Sequence, residues 1–72
     1  MALVEEVAFG RMDERLMNYL KREVVHEQLA ITHQKIASDL GTSREVVSRI
    51  LKGFEHQGIV ILSRNLIRLL PR

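Results

Sequence analysis

Four polar residues near position 45, Arg44, Glu45, Ser48 and Arg49, have side chains that can hydrogen-bond to the edges of DNA bases. On an α-helix, at 100° per residue, they fall on one arc with apolar residues opposite. Arginine can donate two hydrogen bonds to guanine O6 and N7, and glutamate can accept one from cytosine N4. The same spacing also allows an ordinary surface ion pair between Glu45 and Arg49, which are four positions apart. Base reading is therefore the functional prediction, and a solvated helix face is its alternative.

A second set of residues is suited to contact phosphate. Hydroxyl and amide side chains at helix N-termini, with cations at the rim, are typical contacts to a nucleic-acid backbone. The set comprises Thr32, Gln34, Ser43, Lys52, Arg64 and Arg68. We also expect that His33 could face a phosphate and that Val46 could touch a thymine methyl group. Acids outnumber Lys and Arg by two in residues 1–31, whereas Lys and Arg outnumber acids by four in residues 32–72. This asymmetry is a pointer to a polyanionic partner on the second half of the chain.

Helix-capping residues predict how these side chains are positioned. Thr32 can cap a helix over residues 32–40, and Gly41 is suited to end it in the left-handed conformation. Ser43 can then cap a third helix that runs to about residue 57. Because two or three residues separate these helices, they must cross steeply, as in a helix-turn-helix.

The remaining elements complete a small fold. Apolar residues at helical spacing predict a first helix over residues 12–25, and residues 29–31 are compatible with a strand. Two apolar runs at residues 59–62 and 66–69 flank Asn65, which tolerates positive φ, and so predict a β-hairpin. The fold class is therefore mainly α with a small β-hairpin, a winged helix-turn-helix with a three-helix core plus a wing.

Composition argues against several other classes of protein. With 72 residues, the chain is predicted to form one small domain, and with no cysteine it has neither disulfides nor thiolate zinc sites. His26, His33 and His56 lack the spacing of a helical metal site, so no metal or cofactor is predicted. No apolar run approaches the roughly 20 residues of a membrane span, and no signal peptide is recognisable, so we expect a cytoplasmic protein. The sequence shows no recognisable set of catalytic residues, such as a nucleophile with a nearby base or paired carboxylates, so an enzyme is not predicted.

Residues 31–37 and 40–52 resemble the DNA-binding domain of the Crp/Fnr family of bacterial transcription regulators, and residues 58–70 resemble its wing. The most specific part of the resemblance is Gly-x-Ser-Arg-Glu-x-Val-x-Arg at residues 41–49. It implies sequence-specific binding of double-stranded DNA with the third helix in the major groove. By similarity, Arg49 reads guanine and Glu45 reads cytosine or adenine edges of a TGA core, with Arg44 as a further base-reading residue.

The resemblance leaves the outer base of the half-site open. Family members with Arg at the position of Arg44 read an additional guanine, whereas members with Ser at the position of Ser48 contact a thymine. This chain has both residues. By the same resemblance, Thr32, Gln34 and Ser43 match the family's phosphate contacts.

The family also carries an N-terminal β-barrel sensor domain and a long dimerisation helix, which 72 residues cannot hold. We therefore expect residues 1–10 to be a link from that region and residues 11–72 to be the DNA-binding domain. The resemblance implies a homodimeric full-length protein, with RNA polymerase as a candidate partner, and we expect the isolated domain to be a monomer. A cyclic nucleotide, haem, an iron–sulfur cluster or another metabolite are all compatible effectors.

The principal alternative function is a winged-helix protein-interaction module without specific DNA readout, because fold does not fix function. Such a module would present exposed apolar anchors on its third helix. RNA binding by aromatic stacking is a weaker alternative, because Phe9, Tyr19 and Phe54 fall on or near apolar stripes and are expected to pack in the core.

Overall fold

The computed structural model describes the chain from residue 11 to residue 71. Its elements, in chain order, are α1 (Arg11–Glu23), β1 (Gln28–Leu29), α2 (His33–Leu40), α3 (Arg44–His56), β2 (Val60–Ser63) and β3 (Leu66–Leu69). The predicted winged helix-turn-helix is confirmed. The predicted link at residues 1–10 lies outside the described residues. None of the helices within residues 11–71 is long and apolar enough to cross a membrane.

Local capping chemistry fixes the turn between α2 and α3. Thr32 lies in extended conformation before α2, and its hydroxyl accepts a hydrogen bond from the Lys35 backbone N–H at 3.1 Å. Gly41 ends the helix at φ 73°, where a side chain would be strained. The Thr42 N–H then donates to the Ala37 carbonyl at 2.9 Å, which completes a Schellman-type C-cap. The predicted start and stop signals of α2 are therefore confirmed to within one residue.

The predicted β-hairpin is part of a three-stranded sheet, because β1 also pairs with it. β2 and β3 pair antiparallel from Val60 with Leu69 to Ser63 with Leu66, so the strand reaches Ser63 and the turn is formed by Arg64 and Asn65. Asn65 adopts φ 57°, as its type allows. β1 pairs with the far edge of β3, which gives a three-stranded sheet in the order β1-β3-β2.

The first helix ends two residues earlier than predicted because a tight turn follows it. Val25 and Gln28 exchange backbone hydrogen bonds of 2.8 and 3.1 Å around this turn. His26 and Glu27 between them have φ values of 53° and 68°. Left-handed conformation at two consecutive residues that are not glycine costs free energy, and neither residue type signals such a turn in the sequence.

Eleven buried side chains join the three helices to the sheet. They are Leu16, Tyr19, Leu20, Ile36, Ala37, Leu40, Val47, Leu51, Phe54, Val60 and Ile67. Every helix contributes to this core, and β2 and β3 each contribute one residue. Burial of Tyr19 and Phe54 confirms that both aromatic rings pack inside. The orientation of α3 is consequently set by the same core that holds α1.

A polar cluster formed by Arg15, Tyr19, Lys35 and Asp39 joins α1 to α2. The Tyr19 hydroxyl donates to Asp39 Oδ2 at 2.6 Å, and Lys35 Nζ donates to Asp39 Oδ1 at 3.0 Å. Arg15 Nη2 donates to the carbonyl of Leu40 at 2.9 Å, at the end of α2. Burial, together with the bond to Asp39, raises the pKa of Tyr19 to about 12. The bonds from Tyr19 and Lys35 lower the pKa of Asp39. This α1–α2 polar cluster fixes where α2 lies, and through the turn it also positions α3.

Candidate nucleic-acid interface

The third helix has one buried face and one polar face. Val47, Leu51 and Phe54 are buried, and they recur every three or four residues. The opposite side carries Arg44, Glu45, Ser48, Arg49 and Lys52, which we call the polar face of α3. All of these except the half-buried Ser48 are exposed. The predicted division of the helix into a packed face and a presented face is confirmed.

The N-terminal turn of α3 is held in place by its cap. Ser43 is extended, and its hydroxyl accepts a hydrogen bond from the Val46 backbone N–H at 3.2 Å. Its hydroxyl proton remains available, because a serine hydroxyl can donate one hydrogen bond and accept two. The same holds for Thr32 at the start of α2. Both predicted phosphate contacts thus keep a donor while they cap their helices.

The side chains of Glu45 and Arg49 do not form the surface ion pair that their spacing allows. Within the described part of the chain, the ion pairs are Arg22 with Glu23 and Lys35 with Asp39. On the polar face of α3, three of the four predicted base-reading side chains, Arg44, Glu45 and Arg49, therefore have no salt-bridge or hydrogen-bond partner among residues 11–71. Their donors and acceptors are available to a ligand.

Ser48 differs from these three residues. Its Oγ lies 2.7 Å from Nδ1 of His33, the first residue of α2. Both side chains are half-buried. Burial and, to a smaller extent, the nearby Arg44 cation lower the pKa of His33 below its usual value of 6.5. Sequence patterns could not predict this contact, because a bond between side chains 15 residues apart depends on how closely α2 and α3 cross.

An open depression of about 330 Å³ collects several predicted contacts beside this pair. It lies between the starts of α2 and α3 and the β2–β3 turn. Its lining consists of Ile31, Thr32, His33, Gln34, Arg44, Ser63, Arg64 and Asn65. Two arginines and the donors of Thr32 and Gln34 therefore converge on one concave surface, and none of these lining residues is acidic. This is a place where a phosphate can be received.

Other predicted residues lie away from this depression. Arg49 lines a second depression, of about 240 Å³, together with Asp13 of α1 and Phe54. Arg68 is exposed on β3, on the face of the sheet opposite the buried Ile67, and pairs across the strands with Gln28 and Ile61. The structure therefore groups Thr32, Gln34 and Arg64 around the start of α3, and it does not bring Arg68 to that group.

Comparison with known proteins gives concordant results. The family model of the Crp-like helix-turn-helix domain matches residues 11–72. Among solved structures, the chain is similar to the crystal structure of the Thermus thermophilus catabolite activator protein, with a TM-score of 0.76 and 27% sequence identity. That match covers 93% of this chain and 33% of the other, so this chain spans about a third of that protein's length. No curated protein sequence matches the chain.

Proposed function

The chain belongs to the Crp-like helix-turn-helix domain family, and from this premise we propose that it recognises specific sequences of double-stranded DNA with α3 in the major groove. Membership makes it a DNA-binding domain of a transcription regulator. The observation that carries the finer proposal is the polar face of α3. Arg44, Glu45 and Arg49 are presented together on it, opposite the buried Val47 and Leu51.

Base reading on this face follows from donor and acceptor chemistry. Arg49 and Arg44 each offer a planar pair of N–H donors, which matches guanine O6 and N7 in the major groove. Glu45 accepts from the amino group of cytosine or adenine. Arg44, Glu45 and Arg49 lie within the first two turns of α3, the part of a recognition helix that reaches base edges.

Phosphate contacts on either side would fix the register of the helix on the duplex. Ser43 and Thr32 donate hydroxyl protons from helix N-termini, where the helix dipole also favours an anion. Gln34 and Arg64 approach from the depression at the start of α3, and Lys52 approaches from the next turn of the helix. Arg68 does not line this depression, so it would contact the backbone only where the duplex extends past the sheet.

The scarcity of exposed apolar side chains on α3 argues against a protein-interaction role for this helix. The large exposed hydrophobic residues of the described chain are Val25, Val46 and Ile61. Only Val46 lies on α3, and at 36% exposure it is the least exposed of the three. A helix that binds a protein partner would carry several apolar anchors at its centre. Val46 instead suits a single contact with a thymine methyl group.

We infer that the domain works in the cytoplasm as part of a longer, homodimeric regulator, in which two copies meet two half-sites about one helical turn apart. RNA polymerase is a candidate partner of that longer protein, and its effector would bind outside residues 11–71. The isolated domain is then a monomer that binds one half-site weakly.

Selection of bound sequences from a random duplex pool tests the proposal. The winning duplex and a scrambled duplex of equal length are then titrated with the domain and followed by fluorescence anisotropy. We expect a conserved guanine-containing core and at least about tenfold tighter binding to the winner, because each bidentate base contact discriminates by about 1–3 kcal/mol. Equal binding to every duplex would contradict sequence-specific recognition. Failure to enrich any sequence would do the same.

A further inference from the structure

The contact between His33 and Ser48 ties one predicted base-reading side chain to a titratable ring. His33 begins α2 and Ser48 lies in the second turn of α3, with Nδ1 and Oγ 2.7 Å apart. The other base-reading side chains of the polar face of α3 have no such partner among the described residues. Whatever Ser48 offers to DNA therefore depends on what it offers to His33.

We propose that His33 is a specificity-determining residue, which sets whether the Ser48 hydroxyl accepts or donates towards DNA and thereby selects the base opposite Ser48. This inference rests on the proposed DNA recognition by α3. His33 acts through Ser48 and is a positioning residue for base readout.

The hydrogen-bond inventory of the two groups gives the direction of the effect. A separation of 2.7 Å is a hydrogen-bond distance in either direction, and which atom donates depends on the tautomer of His33. In the proposed arrangement the neutral ring carries its proton on Nε2, so Ser48 donates its proton to an unprotonated Nδ1. Its oxygen then presents only lone pairs to the groove. In this state Ser48 pairs with an amino group, which adenine and cytosine carry in the major groove.

Protonation of His33 reverses this arrangement. Both ring nitrogens then carry protons, so Nδ1 must donate and the Ser48 oxygen must accept. The hydroxyl proton is released towards the groove, where it can reach thymine O4 or guanine O6 and N7. The preference at one base pair would move from an amino-bearing base to a carbonyl-bearing base.

The charges around His33 favour the neutral ring in the free domain. Arg44 faces it from α3 and Arg64 from the β2–β3 turn, and none of the residues that line their shared depression is acidic. On α2 itself, the Lys35 side chain bonds to Asp39. Burial and Arg44 lower the pKa of His33, so the neutral state prevails at neutral pH. A phosphate received in the depression would favour the protonated ring, so the change should occur at higher pH on DNA than in the free domain.

The arrangement also bears on the outer base of the half-site, for which Arg44 and Ser48 suggest different partners. A hydroxyl held by neutral His33 cannot also donate to thymine O4. While His33 is neutral, the outer contact is consequently left to Arg44 and guanine, and a thymine preference from Ser48 should emerge only when His33 is protonated.

Binding to four duplexes that differ only at the pair facing Ser48 tests the proposal. That pair is located by comparing sequences selected by the wild-type domain with those selected by Ser48→Ala. Affinities are measured at pH values on either side of the His33 midpoint, which is read from ring NMR signals of the DNA-bound domain. We expect the wild type to prefer adenine or cytosine above the midpoint by about three- to tenfold, the range of one hydrogen bond, and to shift towards thymine or guanine below it.

Two substitutions of His33 separate positioning from simple packing. His33→Asn keeps a group that can bond Ser48 but does not titrate, so its preference should be the same at both pH values. His33→Ala releases Ser48 and should flatten the preference at that pair without weakening the discrimination at the guanine read by Arg49. Thermal unfolding of each variant shows whether it is folded, and the pH series on the wild type decides the matter if His33→Ala is not.

The outcomes distinguish this inference from the function on which it rests. A wild-type domain that binds the selected and scrambled duplexes equally would overturn DNA recognition itself. A domain that discriminates between them, yet keeps the same preference opposite Ser48 at both pH values, would overturn only the role of His33. An unchanged preference in Ser48→Ala, with no pair that can be assigned to Ser48, would also overturn it.

Discussion

In the α1–α2 polar cluster every charged or hydroxyl group bonds to another part of the chain, whereas on the polar face of α3 most groups do not. Tyr19, Lys35 and Asp39 bond to one another, and Arg15 bonds to the end of α2. Arg44, Glu45 and Arg49 are equally polar, and the structure gives them no such partner within residues 11–71. In the α1–α2 polar cluster the hydrogen-bonding groups hold two helices together. On the polar face of α3 they are available to a ligand.

This difference separates two kinds of polar residue without any reference to a ligand. Changes in the α1–α2 polar cluster should lower stability and leave DNA discrimination intact. Changes on the polar face of α3 should lower DNA binding and leave stability intact.

Phe54→Ala should have the largest effect, because it removes a large side chain from the core that the helices and the sheet share. The ring extends from α3 into that core, and its loss should cost about 3–5 kcal/mol. A small domain has roughly 5 kcal/mol to lose, so thermal unfolding should show it unfolded or nearly so. Ile61→Ala, at a position 43% exposed on the sheet, is the control and should change stability by about 0.5 kcal/mol or less. An unchanged transition in Phe54→Ala would mean that the buried face of α3 is assigned wrongly.

Tyr19→Phe should destabilise the domain by about 0.5–1.5 kcal/mol, the range for an ordinary hydrogen bond, because the Asp39 carboxylate that accepts it is exposed to solvent. The variant removes only the hydroxyl that donates to Asp39. Its affinity for the selected duplex, measured where both proteins are folded, should match the wild type. A loss of discrimination without a loss of stability would break the division between the two regions.

The raised pKa of Tyr19 predicts that the stability of the domain falls at alkaline pH. The pKa of Tyr19 is raised from 10.0 to about 12 in the folded domain, so the folded state holds this proton more tightly than the unfolded state. The resulting stability is complete below pH 10.0 and is lost as the pH rises towards about 12. Chemical denaturation across this window should therefore show the gap between wild type and Tyr19→Phe narrowing. A constant gap would contradict the proposed tyrosine environment.

Thr32→Ala tests a residue that belongs to both regions. Its hydroxyl caps α2 and also lines the depression at the start of α3. Loss of the cap should cost about 1 kcal/mol of stability, and loss of the phosphate donor should weaken every duplex alike. Thr32→Ser keeps the hydroxyl and should retain both properties. If Thr32→Ala lowers stability but not affinity, Thr32 is only a cap.

Lys52→Ala should have the smallest effect, confined to electrostatics. We expect selected and scrambled duplexes to be weakened by the same factor and the slope of log affinity against log salt to fall by about 1. Lys21→Ala on α1, which removes the same charge at another exposed position, is the matched control and should leave the slope unchanged. A change in base preference in Lys52→Ala would assign it to base reading instead.

The parts of the fold that the sequence predicted are those encoded by local chemistry. Thr32, Gly41 and Ser43 specify their caps through their own side chains or backbone, so the α2–α3 turn could be placed to within a residue. The turn at His26 and Glu27 was missed because neither residue type normally takes positive φ. The pairing of β1 with β3 was missed because a two-residue strand has too few side chains to show a pattern.

The candidate site was predictable in composition but not in its internal contacts. Helical spacing placed Arg44, Glu45 and Arg49 on one exposed face, and the structure agrees. Spacing along a single helix could not reveal that Ser48 meets His33, since that contact depends on the packing of α2 against α3. It also could not show that Asp13 of α1 lies in the same depression as Arg49.

The central claim, that the polar face of α3 reads bases, is tested most directly by Arg49→Ala and Arg49→Lys on the selected and scrambled duplexes. Arg49→Ala should lose about 1–3 kcal/mol on the selected duplex and much less on the scrambled one, which flattens discrimination at one guanine. Arg49→Lys keeps the charge but not the paired donors, so it should bind the scrambled duplex like the wild type and still lose discrimination. If Arg49→Ala weakens both duplexes equally and Arg49→Lys restores both, Arg49 only contacts phosphate, and base reading by this face of α3 is contradicted.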